Sequence, residues 1–191
     1  MPGRRAYDTA MDAALMTADD LLGLEVPGKR TELIRGRLVV REPTGARQGA
    51  VAMELAFRIM AWVKAQDLGR VYAADTGFKI ESGPDTVRAP DVAFISKARL
   101  PEVEPIGYPG WAPDLAVEFV PKDDHPAETL AKVAPWLQAG VRLVWVVDCV
   151  RRTGWVYRAD GSEILLGASD ELDGEDVLPG FRTGLAEVLL P

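Results

Sequence analysis

The chain has 191 residues, a length that fits one domain, and its 48% hydrophobic and 27% charged residues exclude a disordered chain. Its one cysteine and one histidine exclude an internal disulfide and a four-ligand zinc site built from these two residue types alone. The formal net charge of −7 argues against a nucleic-acid partner unless basic residues gather on one part of the surface.

The chain is predicted to begin with a leader, a short helix and a hairpin. Residues 1–16 have neither a sustained hydrophobic period nor a signal-peptide pattern. We therefore expect a flexible leader, a single domain over residues 17–191 and a cytoplasmic location. Thr17 and Asp20 have the spacing of a capping box, which predicts that a helix begins there. Apolar runs on both sides of Arg35-Gly36 predict two strands joined by a tight turn.

The middle of the chain is predicted to form a mixed sheet. Apolar residues at helical spacing predict a long amphipathic helix over residues 49–66. The elements that follow are three strands, a second helix and a fourth strand, in residues 70–80, 91–96, 114–120, 126–139 and 142–148. Two short strands and a closing helical turn complete the chain. The order helix, strand, strand, strand, helix, strand predicts an α/β fold in which helices flank a mixed β-sheet.

Three acidic residues lie within or beside predicted strands. Glu118 is flanked by apolar residues, and an unpaired buried carboxylate is costly. Asp91 begins a strand directly after a proline, and Glu32 lies in the first hairpin strand. Each acid taken alone is explained by a surface position or an ion pair. Together they would form the oxygen-rich site that Mg²⁺ prefers, provided that the strands bring them close to each other.

The segments "ELIRGRLV", "DTGFKI", "VRAPDVAFIS", "APDLAVEFV", "AGVRLVWVVD" and "DVLPGF" occur in this order from residue 17 to the C-terminus. In sequence and spacing they resemble the Uma-type family of restriction endonucleases, within the PD-(D/E)XK nuclease superfamily. The resemblance implies a restriction-endonuclease-like fold, a Mg²⁺ cofactor for which Mn²⁺ substitutes, and a DNA substrate.

The resemblance also implies the residues of a metal site. Asp91 matches the Asp of the Pro-Asp motif, and Glu118 matches the acid of the D/E-x-K motif. The backbone carbonyl of Phe119 would complete the protein's share of the metal ligands. Glu32 matches the N-terminal acidic position, where it would hold the metal or a metal-bound water. Asp75 is a possible supporting residue, although a turn or an ion pair also explains it.

The lysine of the superfamily motif is missing two residues after Glu118, where Val120 stands. Within the resemblance, Lys132 on the following helix takes its place and would orient the attacking water. A helix-surface pair with Glu128 at i, i+4 explains Lys132 equally well. Lys122, at the end of the strand, is the rival candidate.

Two further positions depart from the family pattern. Residues 121–124 read Pro-Lys-Asp-Asp where relatives carry a Ser-Pro-Ser-Asp-like turn, and Gln48 stands where relatives often carry a histidine. Gln48 can hydrogen-bond to a water or a phosphate, but it cannot take up a proton. These departures favour one alternative, a non-catalytic module that binds nucleic acid or a protein partner. A second alternative is a hydrolase of a non-nucleic phosphate or a sugar, because paired carboxylates also serve glycosidases.

The predicted activity is Mg²⁺-dependent hydrolysis of DNA by a homodimer, because two cuts in a duplex need two active sites. The negative charge does not oppose this prediction everywhere. Residues 160–191 carry eight acids and one base, whereas residues 29–58 carry seven bases and three acids. We therefore expect DNA to meet the surface formed by the hairpin and the start of the long helix.

Overall fold

The computed structural model describes residues 14–120 and 126–189. Its helices are α1 (Ala18–Leu22), α2 (Ala46–Ala65), α3 (Pro126–Gln138) and α4 (Leu185–Val188). Its first six strands are β1 (Arg30–Ile34), β2 (Arg37–Arg41), β3 (Gly69–Ala73), β4 (Phe78–Glu81), β5 (Thr86–Arg88) and β6 (Val92–Ser96). The others are β7 (Leu115–Phe119), β8 (Leu143–Asp148), β9 (Thr153–Arg158), β10 (Glu163–Leu166), β11 (Glu171–Asp173) and β12 (Arg182–Gly184).

The largest sheet has six strands in the order β10-β9-β8-β7-β6-β3. β7 and β8 pair in parallel and the other neighbours pair antiparallel, so the predicted mixed sheet is confirmed. The parallel pair needs a crossover connection, and α3 lies within it. The predicted core order of helix, three strands, helix and strand is present as α2, β3, β6, β7, α3 and β8.

The two long helices cover opposite faces of this sheet. Alternate residues of a strand point to opposite faces. Val92 and Val117 accordingly pack in one apolar cluster with the buried side of α2. Their neighbours Ala93 and Ala116 pack in a second cluster with Trp136 of α3. Glu118 follows the alternation of Ala116, so its side chain belongs to the face covered by α3.

A smaller sheet contains four strands in the order β2-β1-β5-β4. The predicted hairpin is confirmed, with Arg35 and Gly36 at positive φ in the turn between β1 and β2. The prediction of one strand over residues 70–80 is wrong, because β3 belongs to the six-stranded sheet and β4 to the four-stranded one. Asp75 lies between them at a φ of 68°, a conformation that interrupts an extended strand.

Several local predictions are confirmed and others are corrected. The capping box is present, since Thr17 and Asp20 exchange both hydrogen bonds. α2 begins at Ala46, three residues before the predicted start, and the short strands β11 and β12 were not predicted. Residues 1–13 of the predicted leader lie outside the described residues, and the single domain stays a prediction. Within residues 14–120 and 126–189, no helix is long and apolar enough to cross a membrane.

Candidate active site

A cavity of about 970 Å³ opens between the two sheets, beside the start of α2. It brings together residues that are distant in sequence, from the four-stranded sheet, the start of α2, the ends of β7 and β8, and α3. The lining includes six basic residues, Lys29, Arg30, Arg41, Arg47, Arg88 and Lys132. It also includes five acidic residues, Glu32, Glu42, Asp75, Asp91 and Glu118. The predicted site residues of the described chain therefore share one cavity.

Asp91 is fixed at the base of the cavity, directly before β6. Its backbone N–H donates to the Val117 carbonyl at 2.9 Å. Its Oδ2 accepts a hydrogen bond from the Phe119 N–H at 2.9 Å, and its Oδ1 accepts one from Arg30 Nη1 at 3.1 Å. Only 9% of Asp91 is exposed. The carboxylate is thus tied to β7, the strand that carries Glu118.

Glu118 is the acid with the most perturbed surroundings. It retains some accessible surface in the cavity, and its Oε1 accepts a hydrogen bond from Trp136 Nε1 at 2.8 Å. Removal of the carboxyl group from water, together with the nearby Asp91 charge, raises the pKa of Glu118 to about 7. Arg88 and the Trp136 hydrogen bond act in the opposite direction. In the absence of a metal ion, this carboxyl group therefore holds a proton more strongly than an exposed glutamate does.

Glu32 lies in β1 and has a different environment. Its Oε1 accepts hydrogen bonds from Arg88 Nε and the Ala89 N–H, both at 3.1 Å, and its Oε2 accepts one from Arg41 Nε at 2.8 Å. Burial opposes ionisation, but Arg88, Arg41 and the Ala89 N–H together lower the pKa of Glu32. Glu32 is therefore an ionised carboxylate whose charge is already compensated.

The other predicted site residues lie at different depths. Lys132, Gln48 and Phe119 line the cavity. Asp75 also lines it, but its side chain is 68% exposed and its Oδ1 accepts a hydrogen bond from Arg30 Nε at 2.5 Å. Lys122, the rival to Lys132, lies outside the described residues. Roles of these side chains in metal or water binding stay predictions.

Sequence reasoning missed the buried cation Arg88, which stands two residues before Pro90. An arginine followed closely by proline is typical of a loop, yet Arg88 ends β5 and is only 3% exposed. The structure also explains why position 120 carries valine where the superfamily motif has lysine. Val120 is buried in the apolar cluster beneath α3, so this strand supplies no cation at that position.

Asp91 and Glu118 have the chemistry of a Mg²⁺ site. Mg²⁺ takes oxygen ligands, uses one or two carboxylates, and completes its coordination with water and substrate phosphates. Two neighbouring carboxylates that raise a pKa by repulsion are also stabilised by a divalent cation. Among the side chains of residues 14–120 and 130–189, no group of three or more His, Cys, Asp and Glu residues is arranged to hold a metal. The fit is therefore to a two-carboxylate site.

Comparisons with known proteins agree with this architecture. A family model described as "Uma2: Putative restriction endonuclease" matches residues 18–187. A crystal structure described as a "putative nuclease belonging to DUF820" from Anabaena variabilis is similar to the chain, with a TM-score of 0.75 and 20% sequence identity. The similarity covers 91% of this chain and 97% of that one. At this identity the likeness establishes the fold. No curated protein matches the chain.

Proposed function

The chain belongs to the Uma2 family of restriction-endonuclease-like proteins, and from this membership we propose that it hydrolyses DNA phosphodiester bonds with the help of Mg²⁺. One observation carries the proposal. Asp91 and Glu118 lie close enough to interact electrostatically, in a cavity lined by basic side chains. Paired carboxylates suit a divalent cation, and basic walls suit a polyanionic substrate.

Asp91 and Glu118 would hold the metal, with Mn²⁺ as a substitute. Bound there, the ion would polarise a phosphate oxygen and lower the pKa of a water molecule. The protein prepares the two ligands in different ways. Hydrogen bonds from the Phe119 N–H and from Arg30 fix the carboxylate of Asp91. Trp136 fixes one oxygen of Glu118. Both carboxylates are therefore positioned before substrate arrives.

The cavity walls would bind and orient the substrate. Four basic residues line the cavity here: Lys29, Arg30 and Arg41 from the hairpin side and Arg47 from the start of α2. In the reaction, water adds to phosphorus and one P–O ester bond breaks, which leaves a phosphate monoester and an alcohol. The ammonium group of Lys132 would donate a hydrogen bond to the water and offset the charge that develops on the phosphate.

Plasmid cleavage tests the proposal. Supercoiled plasmid is incubated with wild-type protein and either Mg²⁺ or Mn²⁺, and nicked and linear products are measured on a gel. We expect Asp91→Ala to lower the cleavage rate by about 1,000-fold or more, because it removes a metal ligand. Asp19→Asn is the matched control, since Asp19 is exposed on α1 and is not one of the residues that line the cavity. Equal cleavage by wild type and Asp91→Ala would overturn the proposal.

A non-catalytic DNA-binding module is the second candidate, and Val120 favours it because the position carries no cation. In this case wild-type protein binds duplex DNA, with affinity that falls as salt is raised, and cleaves it with neither metal. A glycosidase-type hydrolase would instead act without a divalent cation. The metal requirement of the measured activity therefore separates the three functions.

The quaternary structure follows from the same proposal. The described residues provide one such cavity per chain, and cutting both strands of a duplex needs two. We therefore propose a homodimer as the state that makes double-strand breaks. Light scattering on the purified protein measures its mass directly. A monomer that produces only nicked plasmid would restrict the activity to single-strand cleavage.

A further inference from the structure

Arg88 is a buried cation at the cavity wall. Only 3% of its surface is exposed, yet it contributes to the cavity lining. A buried guanidinium group is costly unless its charge and its N–H donors are matched. The partners of the Arg88 charge and of its N–H donors therefore indicate what this residue does.

The described residues provide a hydrogen-bond acceptor for only part of this guanidinium group. Arg88 Nε donates to Glu32 Oε1 at 3.1 Å. A guanidinium group has five N–H donors in a fixed planar arrangement. Among the described side chains, those of residues 14–120 and 130–189, the Nη groups of Arg88 have no hydrogen-bond acceptor, and they are not among the side-chain atoms sealed from solvent without a partner. These donors are therefore accessible from the cavity.

Glu32 accepts more hydrogen bonds from the described residues than Asp91 does. Its two oxygens accept three hydrogen bonds, from Arg88, Arg41 and the Ala89 N–H. A carboxylate has about four lone-pair sites, so these three bonds leave Glu32 about one for a metal ion, whereas the two bonds to Asp91 leave it about two. These hydrogen bonds indicate that the carboxylate of Glu32 holds two arginines in place. Arg88 is the more deeply buried of the two. Arg41 has a 39% exposed side chain, whereas that of Arg88 is 4% exposed.

We propose that Arg88 binds the phosphate to be cleaved through its Nη groups, and that Glu32 positions Arg88 and is not a metal ligand. This inference rests on the proposed function of the cavity. Paired N–H donors of a guanidinium match two oxygens of a phosphate, and the interaction is charge-assisted. Because Arg88 is buried in the cavity wall, water screens its attraction for a phosphate less than it screens that of an exposed arginine.

Cleavage kinetics and metal binding, measured on the same variants, test the inference. We expect Arg88→Met to lower kcat by about 100-fold or more, and Arg88→Lys to lower it by about 10-fold, because lysine keeps the charge but loses the planar pair of donors. The affinity for Mn²⁺ alone, measured by electron paramagnetic resonance, should not weaken in either variant. Arg37→Met is the matched control, because Arg37 is an exposed arginine of the same sheet outside the cavity lining.

Glu32→Gln separates a positioning residue from a metal ligand. We expect kcat to fall by about 10-fold or more while the Mn²⁺ affinity changes by less than about 5-fold. A large loss of Mn²⁺ affinity, comparable to that of Asp91→Asn, would overturn the positioning role of Glu32. If either single variant fails to fold, Glu32→Gln/Arg88→Met removes both buried charges together, and the loss of kcat is measured on that protein.

The outcomes distinguish this inference from the proposed function. Cleavage by wild type that is abolished in Asp91→Ala but retained in Arg88→Met overturns the inference and supports the proposed function. If wild type cleaves no DNA, the proposed function fails. Arg88 is then judged by the binding of a fluorescent duplex in Ca²⁺. A loss of affinity of about 10-fold or more in Arg88→Met supports phosphate binding, and unchanged affinity overturns it.

Discussion

The two sheets that line the cavity each contribute a glutamate, and the pKa values of the two glutamates are shifted in opposite directions. Glu32 of the four-stranded sheet is 5% exposed and has a lowered pKa. Glu118 of the six-stranded sheet has a pKa raised to about 7. Burial favours the protonated form of both side chains. The difference comes from their partners. Glu32 contacts two arginines, whereas Glu118 accepts a hydrogen bond from a neutral indole and lies near Asp91, whose effect on its pKa exceeds the opposing effect of Arg88.

The partners of each glutamate determine which role it suits. A carboxylate whose charge two arginines already neutralise serves to hold those arginine side chains in place in the cavity wall. A carboxylate with a neutral partner and an acidic neighbour has an electrostatic environment that a divalent cation improves. The four-stranded sheet therefore supplies the cationic wall, and the six-stranded sheet supplies the candidate metal ligands.

The largest effect on stability is expected from Glu32→Gln. The substitution leaves Arg88 buried without its direct counter-charge, so we expect the free energy of unfolding to fall by about 3–4 kcal/mol at neutral pH. Denaturant titration measures this change. Because the folded-state pKa of Glu32 is lowered, its contribution is present above the unfolded pKa and is lost as pH falls through the folded one.

The control for this prediction is Glu32→Gln/Arg88→Met. If the cost arises from an uncompensated charge, the double variant should be more stable than the sum of the single losses indicates. If the free energy of unfolding of Glu32→Gln is within about 1 kcal/mol of that of wild type, the charge of Glu32 does not compensate Arg88 as described.

Glu118→Gln should have the opposite sign in the metal-free protein. Because the folded-state pKa of Glu118 is raised, its contribution to stability is full below the unfolded pKa near 4.5 and is lost as pH rises through about 7. Relative to wild type, the variant should therefore gain about 2–3 kcal/mol of unfolding free energy at about pH 8. At low pH the two proteins should be nearly equal.

Denaturant titrations of both proteins between about pH 5 and pH 8, in the presence of a chelator, measure this divergence. Glu54→Gln is a control, since Glu54 is an α2 glutamate outside the cavity whose partner, Arg58, lies at i, i+4. A wild-type and Glu118→Gln pair whose difference does not change with pH would remove the contrast between the two glutamates.

Much of the fold follows from local sequence, and the exceptions have a common cause. The capping box at Thr17, the turn at Arg35-Gly36 and the periodicity of α2 each depend on residues close in the chain, and each was predictable. The switch of residues 70–80 from one sheet to the other was not. It requires pairing of β4 with β5 and the packing of Gly77 against Tyr108, which the local alternation pattern does not contain.

The residues of the candidate site also divide into those that local sequence predicts and those that depend on long-range strand pairing. Glu118 attracts attention because an acid interrupts an apolar strand, and Asp91 because it follows a proline at a strand start. Arg88 gives no such signal, since its burial depends on the pairing of Leu33 in β1 with Val87 in β5, more than fifty positions along the chain. The compensation of Glu32 by Arg88 and Arg41 has the same origin, so its lowered pKa could not be derived from sequence.

The smallest effect is expected from Trp136→Phe, which deletes the indole donor to Glu118 and keeps an aromatic ring in the apolar cluster. Removing a hydrogen bond to a carboxylate should cost about 1 kcal/mol of unfolding free energy. The loss should grow as pH rises, because the indole N–H favours the ionised form and its removal raises the pKa of Glu118 further.

Trp62→Phe provides the matched comparison for the indole deletion. Trp62 Nε1 donates at 3.1 Å to the carbonyl of Pro179, an acceptor that does not titrate, so the cost of this substitution should not depend on pH. Thermal unfolding of both variants between about pH 5 and pH 8 separates the two cases. A pH-independent cost for Trp136→Phe would mean that the indole packs against Glu118 without changing its pKa. A cost that rises with pH would mean that Trp136 of α3 lowers the pKa of Glu118 on the six-stranded sheet.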